Sequence, residues 1–244
     1  MSLLKIENVT KKYGDSTVIE DINIHLEKGE LVSLLGVSGA GKTTLFHVIS
    51  GLSAPDGGRV LLEDEDITAK PGRIAYMLQK DLLMQHKKVI DNVSLPLVLK
   101  GMSKSEAREK AAVFFEEFGL SGYEYSYPSD LSGGMRQRAA LLRTYLASEG
   151  TALLDEPFSA LDTITKSNIH KWYLDVMQHI DLSTLFITHD IDEAILLSDR
   201  IYILSGRPGR ITDEIVIDEP KPRADDFNLT EKFLEYKKLI ISKL

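Results

Sequence analysis

Gly36-Val37-Ser38-Gly39-Ala40-Gly41-Lys42-Thr43 is the stretch from which the rest of this chain is read. It matches in full the pattern Gly-x-x-x-x-Gly-Lys-Ser/Thr of a phosphate-binding loop. The preceding Leu31-Val-Ser-Leu-Leu35 is a continuous apolar run of strand length, and a helix is predicted to begin near Lys42. Between a strand and a helix, the glycines let the backbone curl so that successive N–H groups face phosphate oxygens. The helix N-terminus adds its dipole. Lys42 then brings positive charge to the β- and γ-phosphates of a nucleotide, and the Thr43 hydroxyl is a Mg²⁺ ligand. Gly36, Ser38, Gly39, Ala40, Gly41, Lys42, Thr43 and the adjoining Thr44 are the candidate ATP-binding residues.

Further out, Thr151-Ala-Leu-Leu-Asp155, Thr184-Leu-Phe-Ile-Thr188 and Arg200-Ile-Tyr-Ile-Leu204 also read as strands. Ile164, Ile169, Trp172, Val176 and Ile180 recur at near-helical spacing between them, as do Ala194 and Leu197 after Asp190, a cap candidate. Such alternation implies an α/β fold with a parallel sheet covered on both faces. The rhythm breaks between Gln79 and about Ala147. There Ala107, Ala111, Phe114, Phe115 and Phe118 define one helical face ending at Gly119, and a second helix is predicted from Ser132. The chain therefore divides into a core over 1–79 and 148–244 and an inserted helical subdomain over 80–147. Residues 213–244 form a short C-terminal extension, in which Phe233, Tyr236, Leu239 and Ile240 suggest a final amphipathic helix.

Composition narrows the function. With 244 residues, 43% hydrophobic and 27% charged, the chain has the material for a large core without staples. It has no cysteine, which excludes disulfides, thiolate metal sites and Cys nucleophiles. A net charge of −8 disfavours nucleic acid and direct adsorption to anionic lipid. No basic-then-apolar leader opens the chain and no apolar run reaches the ~20 residues of a spanning helix, so any membrane role is expected to come through a partner.

Two more segments carry chemistry. Asp155 and Glu156 end an apolar strand, where Asp155 can hold Mg²⁺ through water and Glu156 can polarise an attacking water as general base. By itself such a pair is a common solvated strand end; the phosphate loop is what gives it weight. In Leu131-Ser-Gly-Gly-Met135, Ser132 can cap the following helix while Gly133 and Gly134 expose its first N–H groups. A chain holding one nucleotide has no evident need for a second phosphate-facing helix terminus. A head-to-tail twofold dimer, in which each copy lends this element to the other's nucleotide, resolves the excess.

From about residue 4 to residue 217 the chain resembles the ATPase subunits of ATP-binding cassette transporters, a P-loop NTPase family. Leu131–Arg138 looks like that family's signature motif, and Gly36–Thr43 and Leu153–Glu156 look like its two Walker elements. The resemblance implies a parallel-sheet core with an N-terminal antiparallel β portion. It implies that Tyr13 stacks on adenine, and that Gln79 links the nucleotide site to the helical subdomain and joins Thr43 and Asp155 at Mg²⁺. Ser159-Ala-Leu-Asp162 would cross the dimer interface, and His189 would contact the γ-phosphate beside catalytic Glu156. Taken singly, Tyr13, Gln79 and His189 read more simply as a packed aromatic, a surface amide and a structural hydrogen-bonder.

Two positions depart from the family pattern. Met135 replaces the usual Gln of the signature, but the phosphate-facing groups are Ser132 and the glycine amides, so hydrolysis is expected to be retained. Met84-Gln-His-Lys-Lys88 lacks the Pro-Trp that many close relatives carry where the membrane subunit docks. Ser205-Gly-Arg-Pro-Gly-Arg-Ile211 and Pro220-Lys-Pro-Arg223 resemble the tail of the nitrate, sulfonate and taurine importers and their thiamine-precursor relatives; without that likeness the first is an exposed hairpin.

The resemblance thus implies an importer ATPase for a small anionic or nitrogen- or sulfur-containing solute. It implies a homodimer with ATP sandwiched between the copies, separate transmembrane permease subunits and a solute-binding protein, at the cytoplasmic face of the membrane and without nucleic acid. The alternatives are a soluble or exporter/extractor-type cassette ATPase acting on a non-imported partner, or a P-loop kinase. The latter leaves Ser132–Gly134 and Ser159–Asp162 without a role.

Overall fold

The computed structural model describes residues 2–159, 161–224 and 226–244. Ala160 of the interface loop lies outside the described residues, as does the side chain of Ile164. In chain order the first elements are β1 (Leu4–Tyr13), β2 (Ser16–Leu26), β3 (Leu31–Leu35), α1 (Lys42–Ile49), β4 (Gly57–Leu62), β5 (Glu65–Asp66) and β6 (Ala75–Met77). Helices α2 (Val89–Val93), α3 (Leu95–Leu99), α4 (Lys104–Ala112) and α5 (Gly133–Ala147) come next. The chain closes with β7 (Thr151–Asp155), α6 (Thr163–Met177), β8 (Ser183–Thr188), α7 (Ile191–Leu197), β9 (Arg200–Ser205), β10 (Arg210–Val216) and α8 (Glu231–Ile241).

β3, β7 and β8 are buried at every residue, as continuous apolar runs in a two-sided sheet must be. They lie in a six-stranded sheet of order β10-β9-β3-β8-β7-β6, parallel except for the β10–β9 hairpin. A four-stranded antiparallel sheet, β2-β1-β4-β5, faces it. Leu45, Phe46 and Val48 of α1 share one buried cluster with Leu4 and Ile6 of β1 and with Val32 and Leu34 of β3. The helix behind the phosphate loop is therefore packed between two sheets. The α2–α5 stretch builds a second cluster, in which Phe115, Phe118, Leu131 and Leu142 pack with Leu154 and Phe158 of the core.

Sheet register brings the site together. Leu35 pairs with Thr188 and Asp155 with Ile187, so β3, β7 and β8 end at one edge. The residues after them, Gly36, Glu156 and His189, leave the sheet side by side. In open α/β sheets, ligands bind outside such carboxyl ends.

Two expected helices come out differently. α4 starts with a capping box of Ser103 and Glu106 but stops at Ala112. Beyond it the N–H groups of Phe114 and Phe115 reach the carbonyls of Ala111 and Ala112, a tighter i→i−3 pattern, before Gly119 turns at φ 62°. Phe115 and Phe118 reach the core, with Phe118 against Tyr145 and Trp172, while Phe114 is partly buried. On α8, Phe233 and Ile240 are buried and the Tyr236 hydroxyl accepts the Asp218 N–H at 2.9 Å, but Leu239 is 43% exposed. Phe233 and Ile240 stand two turns apart on the inner stripe; Leu239 lies about 100° away from its neighbour and falls off it. No helix among the described residues is long and apolar enough to cross a membrane.

Candidate functional site

The loop between β3 and α1 is shaped by its glycines. Gly41 takes φ 99° as the N-cap of α1, a left-handed conformation that L side chains resist, and no side chain caps the helix there. Gly36 passes so close to the Leu204 carbonyl that a Cβ would collide with it. Lys42 is only 8% exposed, and its ammonium donates to the Gly36 and Val37 carbonyls at 2.7 and 3.0 Å. Burial pushes that ammonium below the usual lysine range, against the pull of Glu156 and Asp155. The loop is thus a concave run of backbone donors with a cation folded across its mouth.

Asp155 closes the floor. Its Oδ2 accepts the Thr43 hydroxyl at 3.3 Å and the Tyr76 hydroxyl at 3.1 Å. Burial holds the Asp155 carboxyl above the usual aspartate range, with the Tyr76 and Thr43 hydrogen bonds opposing it. The Tyr76 phenol is held neutral by its own burial and by Asp155. Thr43 and Asp155 together present hard oxygen atoms of the kind Mg²⁺ selects.

Glu156, one residue beyond the strand, adopts φ 46° while its N–H donates to the Ile187 carbonyl at 3.0 Å. A positive φ at a non-glycine costs about 1–3 kcal/mol and is kept where the surroundings over-determine it. Its carboxylate meets the Gln79 side-chain amide N–H at 3.0 Å and His189 Nδ1 at 3.1 Å. Glu156, Gln79 and His189, from three separate strand ends, form one polar cluster.

A cavity of about 610 Å³ gathers Ser38, Gly39, Gly41, Lys42, Thr43, Thr44, Gln79, Glu156 and His189, with Val18 and Ile187 as its apolar contribution. Gly36, Ala40 and Asp155 lie behind this lining. Tyr13, 52% exposed at the end of β1, is not part of it. A neighbouring groove of about 790 Å³ shares Gln79, Glu156 and His189 and runs past Asp81, Leu82, Ser159 and Leu161 to Gly133 and Arg136. Ser132 is the exposed N-cap of α5, its hydroxyl accepting the Met135 N–H at 3.3 Å; Gly134 is half-buried, near Thr165. Asp162 caps α6, accepting the Thr165 N–H at 3.1 Å. Ser132–Gly134 and Asp162 thus lie outside this chain's own phosphate cavity.

Several contributors are not marked in the sequence. Val18 enters the cavity because the β9–β10 hairpin holds it: the Gly209 N–H donates to the Val18 carbonyl at 2.9 Å, and the Gly209 carbonyl accepts the Glu20 N–H at 2.9 Å. The Ser205–Ile211 segment, whose simpler reading apart from the importer likeness is an exposed hairpin, is only partly exposed. Gly209 is buried against β2 and the phosphate loop while Arg207 and Arg210 remain exposed. Gln137 of α5 donates to the Pro157 carbonyl, and Arg143 to the carbonyls of Asp81 and Leu82, tying the signature-like helix to both loops beside Glu156. Met135, the departure from the family pattern, packs on the helical core.

Comparison with known proteins agrees with this geometry. A family model described as ABC transporter matches residues 19–159. The formylaminopyrimidine import ATP-binding protein ThiZ of Halalkalibacterium halodurans is 45% identical over 207 residues, covering 84% of this chain and 81% of that protein. The nitrate import ATP-binding protein NrtD of Synechocystis is 37% identical over 221 residues, covering 91% and 83%. Among solved structures, a dimeric post-hydrolysis state of an ATP-binding cassette bound to ADP and Pi superposes with a TM-score of 0.74 at 28% identity, covering 89% of this chain and 100% of that one.

Proposed function

Because this chain belongs to the ABC transporter family, we propose that it is the ATP-hydrolysing subunit of an importer and works as a homodimer with ATP held between the copies. The observation that carries the reading is the convergence of Lys42, Thr43, Gln79, Glu156 and His189 on one cavity. Lys42 and the loop amides bind and orient the β- and γ-phosphates. Thr43 and Asp155 would hold Mg²⁺, and the side-chain oxygen of Gln79, whose amide nitrogen serves Glu156, would be the third protein oxygen offered to it. When bound, the ion neutralises phosphate charge.

Glu156 takes the proton of the attacking water, and His189 holds the carboxylate in place and faces the γ-phosphate. Tyr13, exposed at the end of β1 and outside the cavity lining, contributes the adenine stack. Ser132, Gly133 and Gly134 of one copy close on the nucleotide of the other, and Asp162 belongs to the loop that crosses between them. A ligand that touches both copies in the closed state only has the unequal affinity needed to drive closure. The dimeric state of the solved cassette supports this arrangement.

The import assignment draws on relatives named for formylaminopyrimidine and nitrate import. The solute of this system is accordingly a small anionic or nitrogen- or sulfur-containing molecule. Separate permease subunits carry it across the membrane, a solute-binding protein delivers it, and this chain sits peripherally at the cytoplasmic face. The test is affinity purification of tagged Glu156→Gln protein with ATP from its native membranes. Recovery of a multi-spanning membrane protein and a solute-binding protein is the expected result. Recovery of soluble partners or nucleic acid alone would overturn the transport assignment and leave the ATPase.

A further inference from the structure

Behind His189 lies a buried polar network that the mechanism above does not use. Glu193 of α7 is 3% exposed and His170 of α6 is 8% exposed. One Glu193 carboxylate oxygen accepts the Thr188 hydroxyl. The other lies 2.8 Å from His170 Nε2 and 3.6 Å from the Lys166 ammonium. Lys166 also pairs with Asp190 at 2.6 Å. The Asp190 N–H donates to the Thr188 hydroxyl oxygen at 3.0 Å, and the Glu193 N–H to the Asp190 carboxylate at 3.1 Å. Thr188 and Asp190, the residues on either side of His189, are thus both tied to Glu193.

The same network reaches the interface loop. The Lys166 N–H donates to the Asp162 carbonyl at 2.8 Å, one turn into α6, while its ammonium bridges Asp190 and Glu193. Apolar packing would hold α6 against α7 with less desolvation than a buried carboxylate, an ammonium and an imidazole. What apolar packing cannot do is orient: it has no direction, whereas the hydrogen bonds of Thr188 and Asp190 set angles at the two residues next to His189.

Resting on the homodimer reading above, we propose that Glu193 is a positioning residue that sets His189 against Glu156. Lys166 links it to Asp162 at the end of the Ser159–Asp162 loop, and His170 packs its ring on Phe158 just before that loop, so that the contact between copies and the approach of His189 to Glu156 change together.

The test measures ATP hydrolysis by the full chain with Glu193→Ala and Glu193→Gln, each on the wild-type and on the His189→Ala background, with melting temperatures alongside. Glu193→Ala is expected to lower kcat about tenfold or more with the KM for ATP within about threefold of wild type. Glu193→Gln, which keeps the shape and the Thr188 bond but loses the charge facing Lys166, is expected to lower kcat about threefold without loss of melting temperature; it carries the test if the alanine variant does not fold. On the His189→Ala background both substitutions should cost less than about twofold more, because their effect runs through His189. A wild-type kcat for Glu193→Gln, or losses that add in full to that of His189→Ala, would overturn the proposal and leave the ATPase reading intact. Wild-type turnover by His189→Ala itself would instead remove His189 from the mechanism, and this inference with it.

Discussion

The N-termini of α1 and α5 both point at candidate phosphate sites, yet they are built differently. α1 opens from Gly41 at φ 99° with no capping side chain, and Lys42, Thr43 and Asp155 of the same chain surround its first turn. α5 opens from exposed Ser132, whose hydroxyl already serves the Met135 N–H. Beside its first turn lie Leu161, Thr165 of α6 and the Arg136 guanidinium, which pairs with Asp81 at 3.4 Å, with no buried lysine or strand-end carboxylate like those at α1. The first terminus is furnished to hold an anion alone, and the second to add to one held elsewhere. Their mountings differ as well. α1 sits in apolar packing between two sheets. α5 is packed too, through Ala139, Ala140 and Leu142, but it adds side-chain bonds from Gln137 and Arg143 to the loops beside Glu156.

The contrast is broken most directly at Lys42. Lys42→Ala should lower ATP affinity about 100-fold or more in the isolated chain, read by equilibrium binding with Mg²⁺; near-normal affinity would mean that α1 is not the primary anion site. Glu156→Gln should reduce kcat by about 10²–10⁴-fold, the range of a lost general base, while ATP binding persists and a dimer accumulates in size-exclusion chromatography.

Ser132→Ala sharpens the comparison from the other side. Loss of the cap should cost about 1 kcal/mol, a fall of about 2–4 °C in melting temperature. ATP binding by the single chain should stay unchanged while ATP-dependent dimerisation weakens about tenfold. An equal loss in both would show that the two termini serve one chain's nucleotide.

The smallest expected effect concerns stability. The folded-state pKa of Asp155 is raised above its usual 3.8, chiefly by burial, so its contribution favours the fold at acid pH and is lost as pH rises through the raised value. Above that value the buried carboxylate is a net cost. Asp155→Asn should therefore raise the melting temperature of the nucleotide- and metal-free protein by about 2–4 °C at neutral pH, with the gain shrinking toward acid pH, while hydrolysis falls. A lower melting temperature at neutral pH would show that the Thr43 and Tyr76 hydrogen bonds outweigh the burial.

Much of the fold was legible because its signals are local. The buried strands read as apolar runs, Gly41 and Ser132 mark helix starts by conformation and by capping chemistry, and Asp190 caps α7. The end of α4 was not legible, because the apolar spacing from Ala107 to Phe118 reads as continuous helix whether the backbone bonds run i→i−4 or tighten to i→i−3 after Ala112. Leu239 was misplaced for a related reason: apolar character records what can be buried, and only the packing of α8 records which stripe is.

The candidate site divides along the same line. The sequence by itself marked the loop from Gly36 to Thr43, the Asp155-Glu156 pair and the Ser132–Gly134 helix start, since each is a short backbone conformation or a strand-end chemistry held in adjacent residues; His189 was marked only through the family resemblance. Only the tertiary structure decided that Gln79, Glu156 and His189 touch, that Val18 lines the cavity, that Tyr76 bonds Asp155 and that Glu193 braces both neighbours of His189. Those distances are set by the register between parallel strands and by helices packed across them. Register is a property of pairs of segments far apart in the chain, and no single segment contains it.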